Sequence, residues 1–474
     1  MKDSTLQTNP PALLSGISAA ALVALAAGGY GLAFATHYGA AAILIALPCI
    51  VLLARLPTPR QAFYVGLLAG IAIYAPHLLF FWTIFGPRAM ALWLVAGWPI
   101  AAFVLLLHLA RNRLGETWAG WLTPVLWMGI EYFRSECYYL KFAWLLPGQV
   151  AAFLPGVRLE RIGVYGLGFL YVSAAAMIVS RSRNIRLVGI PAAVLLATLM
   201  YVPALPPAPE LGQLRVAGVQ LEQAGNQRTA DALDKLASAH PEAQILVLSE
   251  YSFGGPVPEV ARDVARKHHR YLIAGGTKPL PHDQFYDMAY VIGPDGRDVF
   301  EQIKSVPVQL MADGLPAPQR RVWESPWGKI GIGICYDISY ARVMDDFVRL
   351  GAQGLILPTM DDVSWGEYER RMLHGRLAPI RSAEYGIPIF GVWSSGVSQL
   401  IDRRGCVIAT AGYPGQGEMI AGPFDLRGPG SVPPDRLPAL ACTILTGLLI
   451  VYLCWLRITD GPLTAASFTT TKSV

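Results

Sequence analysis

A glutamate, a lysine and a cysteine stand in that order at Glu250, Lys304 and Cys335. Glu250 ends the run Ile245-Leu246-Val247-Leu248-Ser249, Lys304 follows Glu301-Gln302-Ile303, and Cys335 ends Gly331-Ile332-Gly333-Ile334. Together they form the inventory for acyl transfer through a thioester: a carboxylate to move protons, a cation near developing negative charge, and a nucleophilic thiol. Each has a plainer reading, as a buried structural cysteine, a carboxylate capping a turn and a solvated lysine at a strand edge. His268, His269 and His374 offer the thiol a second kind of partner, in a protease-like dyad, although nothing local in the sequence supports it.

Positioning these groups requires alternating strands and helices. Leu214-Arg215-Val216-Ala217-Gly218-Val219-Gln220 reads as a buried strand. Helices over 228–239 and 258–268 alternate with strands 244–249 and 271–275, and strands 287–292 and 298–303 flank the turn Gly293-Pro294-Asp295-Gly296. Strand 329–334, helix 340–350, strand 354–358, helix 367–384 and strands 388–393 and 397–401 follow. The pattern predicts a layered α/β domain with mixed strand pairing. The helix after Cys335 is expected to present its positive end to the sulfur and favour thiolate.

The rest of the chain is of another kind. Of its 474 residues 53% are hydrophobic and only 15% charged, and mean hydropathy is +0.41. That is well short of the quarter or so of charged residues in an ordinary soluble protein. The net charge of +5 is dispersed, with no basic stripe interleaved with aromatics, which argues against nucleic acid as a partner. Six scattered cysteines make neither a disulfide framework nor a paired metal-ligand spacing, which leaves Cys335 free to be a nucleophile; thioester chemistry of this kind implies no metal or cofactor. Apolar runs long enough to cross a bilayer fall near 12–34, 38–55, 62–85, 89–110, 118–134, 160–180, 186–203 and 437–456. The expected organisation is a seven-span membrane domain over 1–203, a catalytic domain over 204–436, and an eighth span with a cytoplasmic tail over 437–474. Arg55 and Arg60, Arg111 and Arg113, and Arg181, Arg183 and Arg186 lie in the second, fourth and sixth connections, which assigns those to the cytoplasm and the catalytic segment to the other side.

The order Glu250, Lys304, Cys335 resembles the catalytic set of the nitrilase, or carbon–nitrogen hydrolase, superfamily over about 214–423. With the flanking spans the chain resembles the apolipoprotein N-acyltransferase family. Glu131-Tyr132-Phe133-Arg134, Phe142-Ala143-Trp144, Gly148 and the stretch from Gly163 to Leu170 are similar to that family's membrane-side motifs. Trp365-Gly366, His374, Arg381, Glu384 and Gly396 sit where the family has its Trp-Phe-Gly loop and Gln-His helix. The resemblance implies an α-helical membrane domain with an extracytoplasmic αββα sandwich, set in a bacterial inner membrane with the catalytic domain on the periplasmic side. It implies a phospholipid as acyl donor, a thioester on Cys335, and the N-terminal amine of a lipid-modified apolipoprotein as acceptor. Asp313, Tyr336, Asp337 and Trp365 are the expected supporting residues. The chain departs from the pattern where the family usually has Glu two residues after the nucleophile and this chain has Asp337. It departs again where the carboxylate after the lysine comes at Asp313, one position late and one methylene short. A membrane-tethered amidase-like hydrolase and a catalytically silent lipid-binding relative are the alternative readings.

Overall fold

The computed structural model describes residues 16–35, 38–153, 158–180, 214–365 and 375–460. Its N-terminal part is helical: α1 Gly16–Ala35, α2 Ile43–Leu53, α3 Pro59–Tyr74, α4 Phe80–Phe85, α5 Ala89–Leu114, α6 Glu116–Tyr132 and α7 Leu159–Val179. Among the described residues, α1, the run Phe80–Leu114, α7 and the C-terminal helix are long and apolar enough to cross a membrane. The span expected at 186–203 lies outside the described residues. The third expected span, 62–85, is interrupted: α3 stops at Tyr74, and Pro76–Leu78 forms a 3-10 turn before α4. Pro76 lacks the N–H that would continue the helix ladder.

Small residues set the helix spacing. Gly70 of α3 faces Gly97 of α5, and a Cβ on Gly97 would lie 2.9 Å from the Ile71 backbone nitrogen. The two backbones approach where side chains would hold them apart. At one end of the bundle, Glu116 accepts hydrogen bonds from Arg55 (2.7 Å) and Arg111 (2.5 Å), and Arg55 also reaches the Val179 carbonyl (2.8 Å). The ends of α2, α5 and α7 and the start of α6 therefore share one side.

Among the described residues the polar segment carries twelve strands: β1 Leu214–Val219, β2 Ile245–Val247, β3 Tyr271–Pro279, β4 Phe285–Ile292, β5 Asp298–Ile303, β6 Val322–Ser325, β7 Gly328–Ile332, β8 Gly354–Thr359, β9 Ile389–Trp393, β10 Gln399–Ile401, β11 Val407–Thr410 and β12 Met419–Phe424. They form two six-stranded sheets, in the orders β12-β1-β2-β3-β4-β5 and β11-β10-β9-β8-β7-β6. The pairings β1–β2, β2–β3, β7–β8 and β8–β9 are parallel and the others antiparallel. Alternation along each strand explains the layering. Val216, Ile245, Val247, Ile273 and Val291 share one core with Ile330, Ile332 and Ile356 of the second sheet. Ala217, Leu246, Leu272 and Tyr290 point the other way, against Leu233 and Leu236 of helix α8 (Asn226–Ala239) and Val264 of α9 (Glu259–His268). Helices α10 (Ala341–Arg349) and α11 (Leu377–Tyr385) cover the second sheet, completing an αββα sandwich.

The last helix, α12 (Arg436–Asp460), joins the two parts. Arg436 at its start contacts Glu384 of α11 (3.0 Å), Asp345 of α10 (3.2 Å) and Asp435 (2.6 Å). Glu384 also accepts from the Val164 backbone of α7 (3.2 Å) and pairs with Arg381. Arg381 donates to the carbonyls of Ile338 (3.0 Å) and Ser339 (2.7 Å), in the turn that follows Cys335.

Candidate active site

Glu250, Lys304 and Cys335 each leave the end of a strand, and the strand ends converge. Glu250 follows β2, where Gly275 of β3 makes room: a Cβ there would lie 2.5 Å from the Glu250 Cα. Lys304 follows β5, and Nζ lies 2.6 Å from Glu250, 2.7 Å from Asp313 and 3.3 Å from Asp287. The second oxygen of Glu250 accepts the Met360 N–H at 2.7 Å. Cys335 turns sharply out of the segment after β7 with φ +48°, a left-handed conformation that costs a non-glycine residue energy. Its Sγ lies 3.9 Å from the Met360 carbonyl.

A 3-10 turn, Cys335–Ser339, follows the nucleophile, and helix α10 begins only at Ala341. The expected α-helix therefore starts beyond the sulfur, after this single 3-10 turn that opens at Cys335 itself. Burial, then the charge of Glu250, pushes the Cys335 thiol well above its usual range, so the resting sulfur is a thiol and not the thiolate expected from sequence. Burial alone would drive Glu250 up and Lys304 down. Their mutual attraction outweighs it, holding the carboxyl below its ordinary value and the ammonium above.

The supporting residues divide into two groups. Asp313, Tyr336 and Trp365 line one cavity with Glu250, Lys304 and Cys335. Asp337 lies behind it, accepting from the backbone N–H groups of Ile334 (3.1 Å), Ser305 (3.1 Å) and Val306 (2.8 Å). It thereby ties the cysteine's turn to the loop that leaves Lys304. The histidines do not form the alternative dyad among the described residues. His268 Nε2 lies 2.7 Å from Asp234 and no histidine lines the cavity, while His374 is outside the described residues.

The cavity encloses about 1010 Å³, and its far wall comes from the helical bundle: Phe80, Phe81, Ile84 and Phe85 of α4, and Leu92, Val95 and Ala96 of α5. The loop after α6 closes one side. Phe142 and Trp144 line it, Trp144 donates to Ser339 Oγ at 2.9 Å, and the Tyr336 ring packs against Trp144. Polar groups capable of thiol acyl chemistry thus share one chamber with an apolar wall of membrane-type helices.

Comparison with known proteins accounts for both halves. Residues 19–177 match the family model described as apolipoprotein N-acyltransferase N-terminal domain, and residues 215–426 match carbon-nitrogen hydrolase. The chain thus carries a segment similar to the apolipoprotein N-acyltransferase N-terminal domain ahead of one similar to carbon-nitrogen hydrolases. The apolipoprotein N-acyltransferase of Geobacter metallireducens is 24% identical over 409 residues, covering 73% of this chain and 78% of that protein. The one from Shewanella oneidensis is 24% identical over 383 residues, covering 66% and 72%. Omega-amidase NIT2 of Danio rerio is 26% identical over 242 residues, covering 85% of its own length but 43% of this chain.

Against the acyltransferase pattern, the two departures acquire geometry. Asp313 reaches Lys304 although it is short, because the Val308 N–H (2.6 Å) and Tyr251 hydroxyl (2.9 Å) hold its carboxylate in place. Asp337 engages three backbone donors at its own length. Sequence reasoning missed Asp287, Tyr251 and Met360. Asp287 had a signal, a single acid inside the apolar strand Phe285–Ile292. Met360 acts through its backbone, which no side-chain pattern could reveal.

Proposed function

We propose that this membrane protein transfers an acyl chain from a phospholipid to the N-terminal amine of a lipid-modified apolipoprotein, through a thioester on Cys335. The observation that carries the reading is the shared chamber, with Glu250, Lys304 and Cys335 on one wall and the α4–α5 surface on the other. Extracting a lipid chain into water costs about 0.8 kcal/mol per CH₂. An apolar wall beside the thiol lets the chain stay in apolar surroundings while its ester reaches the sulfur.

Because the thiol is neutral at rest, proton transfer accompanies attack. Sγ bonds to the ester carbonyl carbon as Glu250 takes the thiol proton. Lys304 and neighbouring backbone N–H groups stabilise the oxyanion, an effect worth about 2.7–4 kcal/mol per donor in other enzymes. The carbon–oxygen bond then breaks, Glu250 returns the proton to the departing alkoxide, and a lysophospholipid leaves. In the second half the acceptor amine attacks the thioester carbon and gives its proton to Glu250. The carbon–sulfur bond breaks, and the proton goes back to sulfur. Asp313 holds Lys304, Asp337 sets the turn, and Tyr336 and Trp365 shape the chamber.

The hydrolase reading gains less support, since the omega-amidase relative spans only the catalytic half whereas the acyltransferase relatives extend through the helices. For orientation, the second and fourth connections and the end of α7 meet at the Arg55–Glu116–Arg111 cluster, and the fifth connection contacts the catalytic domain. With the positive-inside rule, this supports a cytoplasmic Arg55 cluster, a periplasmic catalytic domain and an inner-membrane location. The seven-span bundle with an eighth span after the catalytic domain belongs to the same proposal. Peptide mass spectrometry after incubation with phospholipid vesicles tests the chemistry. The expected product is one acyl chain on Cys335 that a diacylated cysteinyl peptide removes. Acylation elsewhere, or none, overturns the proposal.

A further inference from the structure

Around Lys304 stand three buried carboxyl groups, those of Glu250, Asp287 and Asp313, with oxygens within 4.8 Å of one another. One ammonium cannot neutralise three carboxylates. The donors available to each differ. Glu250 accepts from Lys304 (2.6 Å) and the Met360 N–H (2.7 Å), and Asp313 accepts from the Tyr251 hydroxyl (2.9 Å) and Val308 N–H (2.6 Å) besides its contact with Lys304 (2.7 Å). Asp287 is fully buried, and neither of its oxygens has a hydrogen-bond donor among the described residues; Lys304 stands 3.3 Å away. A buried carboxylate without donors is the least stable of the three, and protonation both removes its charge and creates a donor.

We propose that Asp287 is a positioning residue that carries a proton at working pH and donates it in a hydrogen bond to Glu250, orienting that carboxylate and keeping it ionised. The inference rests on the reading of Glu250 as the proton acceptor for Cys335. Burial and the Glu250 charge push the Asp287 carboxyl well up, in agreement with the donor count. The charged or titratable groups facing this pair are Lys304 after β5, Asp313 in the following loop, Tyr251 after β2, Cys335 after β7 and Asp361 after β8.

Asp287→Asn tests the proposal with a near-isosteric change that needs no acyl-transfer activity to be read. The full-length protein in membranes is alkylated with iodoacetamide across a pH series, and the Cys335 peptide is quantified. If Asp287 is protonated, Asn replaces one neutral group by another, and the alkylation profile of Cys335 stays within about threefold of wild type at every pH. If Asp287 is ionised, the substitution removes a negative charge near the thiol. The whole profile then moves to lower pH, and at a fixed pH alkylation rises about tenfold for every pH unit the profile has moved; that result sinks the proposal. The positioning role is read from acyl-enzyme formation. Asp287→Ala removes the donor, so Glu250 should titrate higher and the acid limb of the rate move to higher pH, while Asp287→Asn, whose amide still donates, should keep the limb in place. An unmoved limb in a folded Asp287→Ala protein, or a moved limb in Asp287→Asn, overturns the positioning role. If no acyl-enzyme forms even in wild type, the acyl-transfer reading has failed, and the alkylation result still decides the protonation of Asp287.

Discussion

Removing the Asp313 carboxylate probes the site most directly. Its oxygens meet Lys304 at 2.7 Å, the Val308 N–H at 2.6 Å and the Tyr251 hydroxyl at 2.9 Å. Breaking a buried ion pair outright costs about 3–5 kcal/mol. Asp313→Ala falls short of that because Lys304 keeps Glu250 at 2.6 Å. The closer measure is a hydrogen bond to a charged group, about 1.5–3 kcal/mol. Expressed in the transition state, this slows acylation about ten- to a hundredfold. Asp313→Asn keeps an oxygen for the Val308 N–H but loses the charge and puts an NH2 where the Tyr251 hydroxyl finds its acceptor, so its rate should lie between. Asp313→Glu should also slow the reaction, less than Ala does, because both oxygens are already at contact distance and the added methylene must displace the loop from Val308 to Asp313. From sequence alone the longer arm would have been expected to help. The assay is the time course of acyl-Cys335 formation in detergent or nanodiscs, alongside a thermal melt. Wild-type rates in folded Asp313→Ala and Asp313→Asn proteins would refute the assignment of Asp313 to the Lys304 cluster.

Cys335→Ser should fold and insert yet form no detectable acyl-enzyme, and intact-mass measurement of an acylated serine variant would remove the sulfur from its role. Because the Cys335 thiol is pushed up, its charged form is scarce at neutral pH; alkylation by iodoacetamide should therefore keep rising from pH 7 to beyond 9, and a plateau near neutrality would contradict the neutral resting thiol. For orientation, Asp295→Cys in the exposed β4–β5 turn should react with a membrane-impermeant maleimide in spheroplasts lacking Cys137 and Cys406. Arg60→Cys should react only after lysis, and the same behaviour at both sites would refute the orientation. Gly97→Leu would drive side-chain atoms into the Ile71 backbone and should destabilise the bundle by about 1–3 kcal/mol, seen as lower accumulation in membranes with the catalytic sequence unchanged.

Much of this was legible from sequence because apolar patterning and strand-end residues are local properties. Ile330, Ile332 and Ile334 mark a buried strand leading to Cys335, and the structure buries all three. Strands β6, β11 and β12 escaped notice. Val407 and Ile408 are exposed on an edge strand without alternation, and Met419–Phe424 is interrupted by Gly422 and Pro423, which reads as loop until β1 pairs with it. The Cys335 protonation state was misread because it depends on burial and on a glutamate 85 positions earlier, not on the residues that follow. Asp313 was marked as a supporting carboxylate, but how it is held was not legible: its reach depends on the Tyr251 hydroxyl and the Val308 N–H, whose placement is a property of the folded loop.

The ties made by Arg436 bear on how the molecule comes to exist. This arginine opens the last helix and meets Glu384, Asp345 and Asp435, while Glu384 also holds Arg381, whose guanidinium fixes the Ile338 and Ser339 carbonyls beside the nucleophile. A chain cut before 436 would leave those buried carboxylates short of their cation, a state that a buried network tolerates poorly. The sandwich is therefore not a portable module. During synthesis its nucleophile turn gains its final support only after the C-terminal helix has been made and seated beside α6 and α7. The turn that carries Cys335 is thus tied, through Arg381, Glu384 and Arg436, to the helix that ends the described chain, and a catalytic segment made without that helix should be less stable.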